Sequence, residues 1–401
     1  MKILFLCGLY PPAYKDQMFS DSKRSYQFAA QNFQEALIGG FIENNINLHI
    51  VTLPFLSTYP FGYKKIFLNF KRSDIDDIVS VAPIKILNLP IFSSMFNNAK
   101  KEVLKWCKIN RTEEELHIIV YSLNADLMKV AIEAKEKYPN LKLSLIILDL
   151  PEYMGANRFH KILGIYKKNI EYIYLNLKSF DQYVLLTEAM VEKLCIQKNK
   201  YVVIEGIYKS KHVIDTSEIS YKDNKEMILY SGALNVKYGL QNLLDAFHQI
   251  ASPDVRLVIC GDGEAKELVT SYCRLDERII FKGKVPHEEV LALQKEASLL
   301  INPRQPEGEY TKYSFPSKTM EYFASGTPVL MYRLPGIPEV YFNYCYVLDD
   351  YSVEGLRQRI EEILKKNVRE RMELGSSASK FILNYKSAKV QVQKILELLL
   401  D

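Results

Sequence analysis

No two cysteines in this sequence are spaced C-x-x-C. The six (Cys7, Cys107, Cys195, Cys260, Cys273, Cys345) are scattered and mostly sit in apolar runs. That argues against a zinc site or a disulfide framework and for reduced core thiols in a cytoplasmic protein. The six His are as dispersed, with no H-E-x-x-H or similar cluster, so no essential metal is expected. No stretch reaches the roughly 18 apolar residues of a membrane span. Residues 1–7, MKILFLC, superficially resemble a signal peptide but run straight into Gly8 and Pro11-Pro12, which suits a first buried strand better. Low-complexity tracts and internal repeats are absent, and the net charge of +4 is too small for a broad nucleic-acid footprint.

What is present is an ordinary globular composition on a long chain. With 401 residues, 48% hydrophobic and 25% charged, two domains are the default. Apolar runs of strand length alternate with helical periodicity throughout, the pattern of doubly wound parallel sheets. Strands are expected at 3–7, 48–53, 118–121, 143–148, 182–186 and 201–204. A helix over 25–43 is expected to break near Gly39-Gly40, and another covers 161–180. The polar stretch 217–226 reads as a linker, dividing an N-terminal Rossmann-like domain, 1–216, from a second one, 226–375. The second half then gives strands at 227–230, 255–260, 279–281, 298–301 and 329–331, and helices at 240–250, 287–296 and 353–366. Residues 368–400 read as helical, and 376–401 are expected to cross back onto the first domain. Two such sheets would face each other across a cleft at the carboxyl ends of their strands, where ligands of these folds bind.

Charge is unevenly spread: between residues 59 and 111 ten bases face four acids. There Phe61, Tyr63, Phe67 and Phe70 interleave with Lys64, Lys65, Lys71 and Arg72 in a segment without clear regular structure. Such a segment suits an anionic membrane surface, or else a solvated helix with core aromatics. Asp74-Ile75-Asp76 is a D-x-D string, read as a solvated loop rather than a metal site.

The most informative stretch is 299–328, LLINPRQPEGEYTKYSFPSKTMEYFASGTP. A buried strand leads through a polar loop into Ser314-Phe315-Pro316-Ser317, where Ser can cap a helix and Pro fits its first turn. Gly326-Thr327-Pro328 ends that helix. A strand, a loop and a helix start in this order form an anion site, with backbone N–H groups aimed at a phosphate. Ser314, Ser317, Lys318 and Glu321 share one helix face, which places Glu321 to accept hydrogen bonds from ribose hydroxyls. The plain alternative is a surface pair of Lys318 with Glu321. A second motif, 229–240 (LYSGALNVKYGL), turns out of a strand at Gly232 and offers Lys237 as a cation for a diphosphate leaving group. Gly261-Asp262-Gly263 and Lys282-Gly283-Lys284 follow further strands, as turns near a nucleotide base or as ordinary connections. Asp149, at a strand end, is either a base or a cap for the segment beyond it.

With these motifs the chain resembles the retaining nucleotide-sugar glycosyltransferases of GT-B type. The likeness is strongest over 230–247, 257–264, 279–285 and 301–339, and closest to the bacterial members that build capsular, exopolysaccharide or O-antigen chains. The resemblance implies that Glu321 binds the donor ribose. It implies that backbone amides from Tyr313 to Ser317, those of Tyr313, Ser314, Phe315 and Ser317 among them, hold the diphosphate, and that Gly232, Gly261, Gly263 and Lys284 line the nucleotide. Lys237 would supply one member of the phosphate clamp. Where many relatives carry Arg this chain has Ala233, and Arg304 or Lys318 is expected to compensate. Where many carry a second Glu it has Tyr313, with Glu307 and Glu309 nearby. The family's chemistry implies sugar transfer with retention, from a nucleotide sugar, most simply a UDP-sugar, to a saccharide or lipid-linked saccharide. It needs no cofactor or metal, and the setting would be cytoplasmic, on the inner face of the plasma membrane. Two other readings stay open: a catalytically idle nucleotide-sugar-binding partner, favoured by Ala233 and Tyr313, and a nucleotide-sugar epimerase of similar shape.

Overall fold

Over its described residues the first half folds into ten strands, most of them in one sheet. In the computed structural model, which describes residues 1–23, 28–89, 94–153, 164–209 and 226–400, these are β1 (Lys2–Cys7), β2 (Leu48–Thr52), β3 (Phe67–Phe70), β4 (Ser73–Asp76), β5 (Val79–Val81), β6 (Ile84–Leu87), β7 (Leu116–Tyr121), β8 (Leu141–Ile147), β9 (Gln182–Leu185) and β10 (Tyr201–Val203). Eight of them form a sheet ordered β10-β9-β8-β7-β1-β2-β5-β4, parallel except for the antiparallel edge strand β4. Strands such as LHIIVY in β7 are buried at every position, as a parallel sheet covered on both faces requires. The chain forms two compact units, Met1–Lys209 with Ala388–Asp401, and Ser210–Ser387. The linker expected over 217–226 lies, apart from Glu226, outside the described residues.

Several expectations need correcting in this unit. The helix Phe28–Glu43 runs unbroken through Gly39-Gly40. A Cβ on Gly40 would lie 2.4 Å from the Ala388 carbonyl oxygen. The glycine therefore serves close approach to the helix Ala388–Leu400, and tertiary packing overrides a helix propensity cost of about 1 kcal/mol. That last helix seats Val392, Ile395 and Leu399 in the core with Ile3, Phe5, Leu37 and Phe41. Residues 368–400 are two helices rather than one, Val368–Tyr385 and Ala388–Leu400.

The basic-aromatic segment is also more ordered than its sequence suggests. It contains β3 to β6 and the amphipathic helix Met95–Ile109, and β3 and β6 pair as a separate antiparallel ribbon. Its aromatics divide between two roles: Tyr63 and Phe70 are buried, whereas Phe61 is 78% and Phe67 70% exposed. Asp74-Ile75-Asp76 belongs to edge strand β4 rather than to a loop, and Asp74 lies 3.8 Å from Arg72. A strand only four residues long leaves little periodicity to detect.

In the second unit β11 (Glu226–Ser231), β12 (Val255–Cys260), β13 (Ile279–Gly283), β14 (Leu299–Asn302), β15 (Val329–Tyr332) and β16 (Tyr346–Leu348) form a wholly parallel sheet. Its order is β13-β12-β11-β14-β15-β16. Helices Leu240–His248, Lys266–Leu275, His287–Glu296, Ser317–Ala324 and Val353–Lys365 connect the strands. The strand sequence reverses between β11 and β14, so the segments leaving those two strands part in opposite directions and open a crevice at their carboxyl ends. Among the described residues no helix is long and apolar enough to cross a membrane.

Candidate functional site

At the end of β11 the chain leaves the sheet through Gly232, whose φ of +153° suits only glycine. A Cβ there would meet the Lys318 ammonium nitrogen at 2.6 Å. Bare backbone therefore lies directly on that amine. The Lys318 nitrogen is itself buried and has no hydrogen-bond partner among the described residues, sitting 3.9 Å from the centroid of the Tyr230 ring. Burial, helped by the neighbouring Arg304 charge and opposed by Glu321, pulls its pKa from 10.5 to about 7. The surface pair of Lys318 with Glu321 that spacing allowed is not what the fold makes.

Arg304, just beyond β14, donates from Nη2 to Ser314 Oγ at 3.1 Å. Its guanidinium stacks on Tyr238 and Tyr310 at 5.4 and 5.0 Å, and its Nε is buried with no partner among the described residues. Asn302 at the end of β14 likewise has a buried Nδ2 without a partner among them. Arg304 and Lys318, near enough for the guanidinium charge to act on the amine, thus each present a buried donor without an acceptor among the described residues. They suit an anion with several oxygens.

The helix that follows begins at Ser317, with Pro316 at its N-cap position and no side-chain cap. Ser314 does not cap it, contrary to expectation, because its hydroxyl accepts from Arg304, ten residues earlier. The Thr319 amide donates to the Pro316 carbonyl at 2.9 Å, and among the described residues no side chain caps the turn. Glu321, 31% exposed, accepts from Gln294 Nε2 at 2.6 Å, and its other oxygen lies 3.7 Å from His287 Nε2. Below it, Tyr322 is fully buried, and its hydroxyl accepts from the Ser231 amide at 2.8 Å. That bond fixes the helix against the end of β11.

The remaining expected residues divide into exposed lysines, loop glycines, buried aromatics and one acid of the first unit. Lys237 is exposed on a short turn where Asn235 Oδ1 accepts from its amide, and Lys284 is exposed after β13. Gly261 and Gly263 let the loop after β12 touch the one after β11: a Cβ on Gly261 would lie 1.9 Å from the Gly232 carbonyl oxygen. The Phe315 ring is a core group packed on Tyr341 at 5.3 Å, so its side chain does not line the site. Tyr313 is buried and donates from its hydroxyl to Glu309 Oε1 at 3.2 Å. Asp149 follows β8 in the first unit, where desolvation raises its carboxyl pKa. Sequence reasoning missed Gln294, His287, Tyr322 and Asn302. The spacing of His287 and Gln294, seven apart and thus on one helix face, was the available signal.

Residues 215–381 match the family described as glycosyl transferases group 1. That match lies in the second half of the chain. Among curated proteins there is no sequence match. Over both domains the chain is similar in structure to sucrose-phosphate synthase from Thermosynechococcus elongatus, at 15% identity and TM-score 0.62, covering 99% of this chain and 98% of that one. It is similar to Anabaena Alr3699/HepE solved with UDP, at 16% and 0.59, covering 100% and 99%. It also resembles a mutant of S. aureus TarM solved with UDP and saccharide ligands, at 13% and 0.60, covering 100% of both chains. The fold is thus the two-domain GT-B type. The corner described above lies wholly inside the matched residues 215–381.

Proposed function

We propose that this chain is a retaining glycosyltransferase that moves a sugar from a nucleotide sugar, a UDP-sugar, to a saccharide or lipid-linked saccharide of a bacterial surface polysaccharide. The observation that carries the proposal is the Lys318 ammonium, buried without an acceptor directly beneath the glycine turn at the strand-order reversal. A diphosphate seated there would receive Lys318, Arg304 and the Ser317 and Lys318 N–H groups at the start of the 317–324 helix, while Glu321 accepts from the ribose. Lys237, exposed on its turn, would close on the phosphates from the outside. Charge that grows on the leaving diphosphate is met by these fixed cations, so neither a metal nor a protein base is required. The donor phosphate itself would take the acceptor proton. UDP and UDP-glucose complexes among the similar Anabaena structures support the nucleotide assigned here.

The acid that many relatives carry is Tyr313 here, and Glu309 touches its hydroxyl. We assign sugar hydroxyl recognition to Glu309, which makes a merely nucleotide-binding role unnecessary. The first domain would receive the acceptor, with Phe61, Phe67 and the surrounding lysines resting on the anionic inner leaflet. The test is transfer of radiolabelled sugar from UDP-sugars to a lipid-saccharide extract, with EDTA present throughout. Transfer should occur with the native chain and disappear with Glu321→Ala. Binding of UDP without transfer would favour the idle partner, and near-native turnover in the variant would remove Glu321 from the ribose site.

A further inference from the structure

We propose that Gln294 is a positioning residue that fixes the plane of the Glu321 carboxylate and so sets how strictly the site demands a ribose. The proposal rests on Glu321 as the ribose acceptor. Gln294 lies on the helix His287–Glu296 and has no exposed surface. Its Nε2 donates to Glu321 Oε1 at 2.6 Å and to Ser231 Oγ at 3.2 Å. The amide cannot be turned round, because its carbonyl oxygen would then face the carboxylate. Its backbone carbonyl accepts from Thr327 Oγ1 at 2.6 Å, so the side chain springs from a fixed seat.

The same side chain carries a liability. Its Oε1 is buried with no hydrogen-bond partner among the described residues. An apolar side chain of similar volume would avoid that desolvation cost. Stability alone therefore does not call for glutamine here. What it provides is a strut from the end of β11 to the middle of the 317–324 helix, with Glu321 held at one oxygen. The other oxygen faces His287 and remains open to a ligand. One carboxylate reads two neighbouring hydroxyls well only when its plane is fixed. Gln294 should therefore act on ribose selectivity and hardly on phosphate binding.

Calorimetric affinities for UDP and 2′-deoxy-UDP, measured with the full chain, test this. In Gln294→Met, whose melting curve checks the fold, preference for UDP over the deoxy compound should fall at least fivefold, with deoxy affinity changed less than twofold. In Glu321→Ala the preference should vanish. If E321A keeps the native preference, the ribose assignment itself fails. If E321A loses it while Q294M keeps it within twofold, the strut alone is overturned. Should Q294M melt early, Gln294→Glu gives the same readout with the shape kept. Two facing carboxylates should abolish the preference at high pH and restore it where one of them takes a proton. A preference independent of pH would overturn the strut.

Discussion

Replacing Lys318 by methionine should stabilise the free protein while crippling its donor site. Burial holds the ammonium near pKa 7 against an ordinary 10.5. By linkage, at about 1.4 kcal/mol per pH unit, that difference is worth about 4–5 kcal/mol as an upper bound. Relaxation and the Tyr230 face lower what a variant recovers. Exchanging buried ionic groups for apolar ones of similar volume gains about 1–4 kcal/mol. We expect roughly 3–10 °C in melting temperature for a domain of this size. A lysine whose folded-state pKa is lowered binds fewer protons folded than unfolded. Its destabilising effect is therefore complete below about pH 7 and fades as the pH climbs from there towards 10.5. The advantage of K318M should be largest near neutrality and close in strong alkali. With nucleotide present the order should reverse, because charge-assisted hydrogen bonds to phosphate contribute about 1.5–3 kcal/mol, or roughly 10–150-fold in UDP affinity. Melting curves across pH with and without UDP, joined to calorimetric titration, measure both effects. A variant that melts below the native chain at neutral pH, or binds UDP within twofold of it, would refute the reasoning.

Two neighbouring glycines give a paired test of the first domain. Gly40→Ala should lose about 1–3 kcal/mol in denaturant titration, since its new methyl meets the Ala388 carbonyl at 2.4 Å. Gly39→Ala, with nothing within 4 Å, should gain up to about 1 kcal/mol from helix propensity. Equal effects would contradict the packing of the last helix on Phe28–Glu43. Changing both Phe61 and Phe67 to Ser should reduce co-sedimentation with anionic phosphatidylglycerol vesicles several-fold while sparing the fold, because both rings are mostly exposed. Unchanged sedimentation would show that this patch is not the contact.

How much of this was legible beforehand varies by element. Strands such as 255–260 and the helix 287–296 were placed to the residue, because long apolar runs and clean periodicity need no partner to be recognised. Short pieces were not: β16 has three residues, and β4 hides in a polar string. Gly39-Gly40 looked like a break because propensity is local, whereas the helix they lie against comes some 350 residues later. Likewise Ser314 looked like a cap until the fold brought Arg304 to its hydroxyl.

The sequence by itself determined two parallel-sheet halves and the strand, loop and helix order around Ser317, since periodicity and turn chemistry are local properties of the chain. Only the tertiary structure decided which side chains matter within that order. It buried the Lys318 amine beneath Gly232 and braced Glu321 with Gln294, while sending the Phe315 ring into the core. Desolvation and hydrogen-bond partnership depend on atoms far apart in the chain, and no local pattern can announce them.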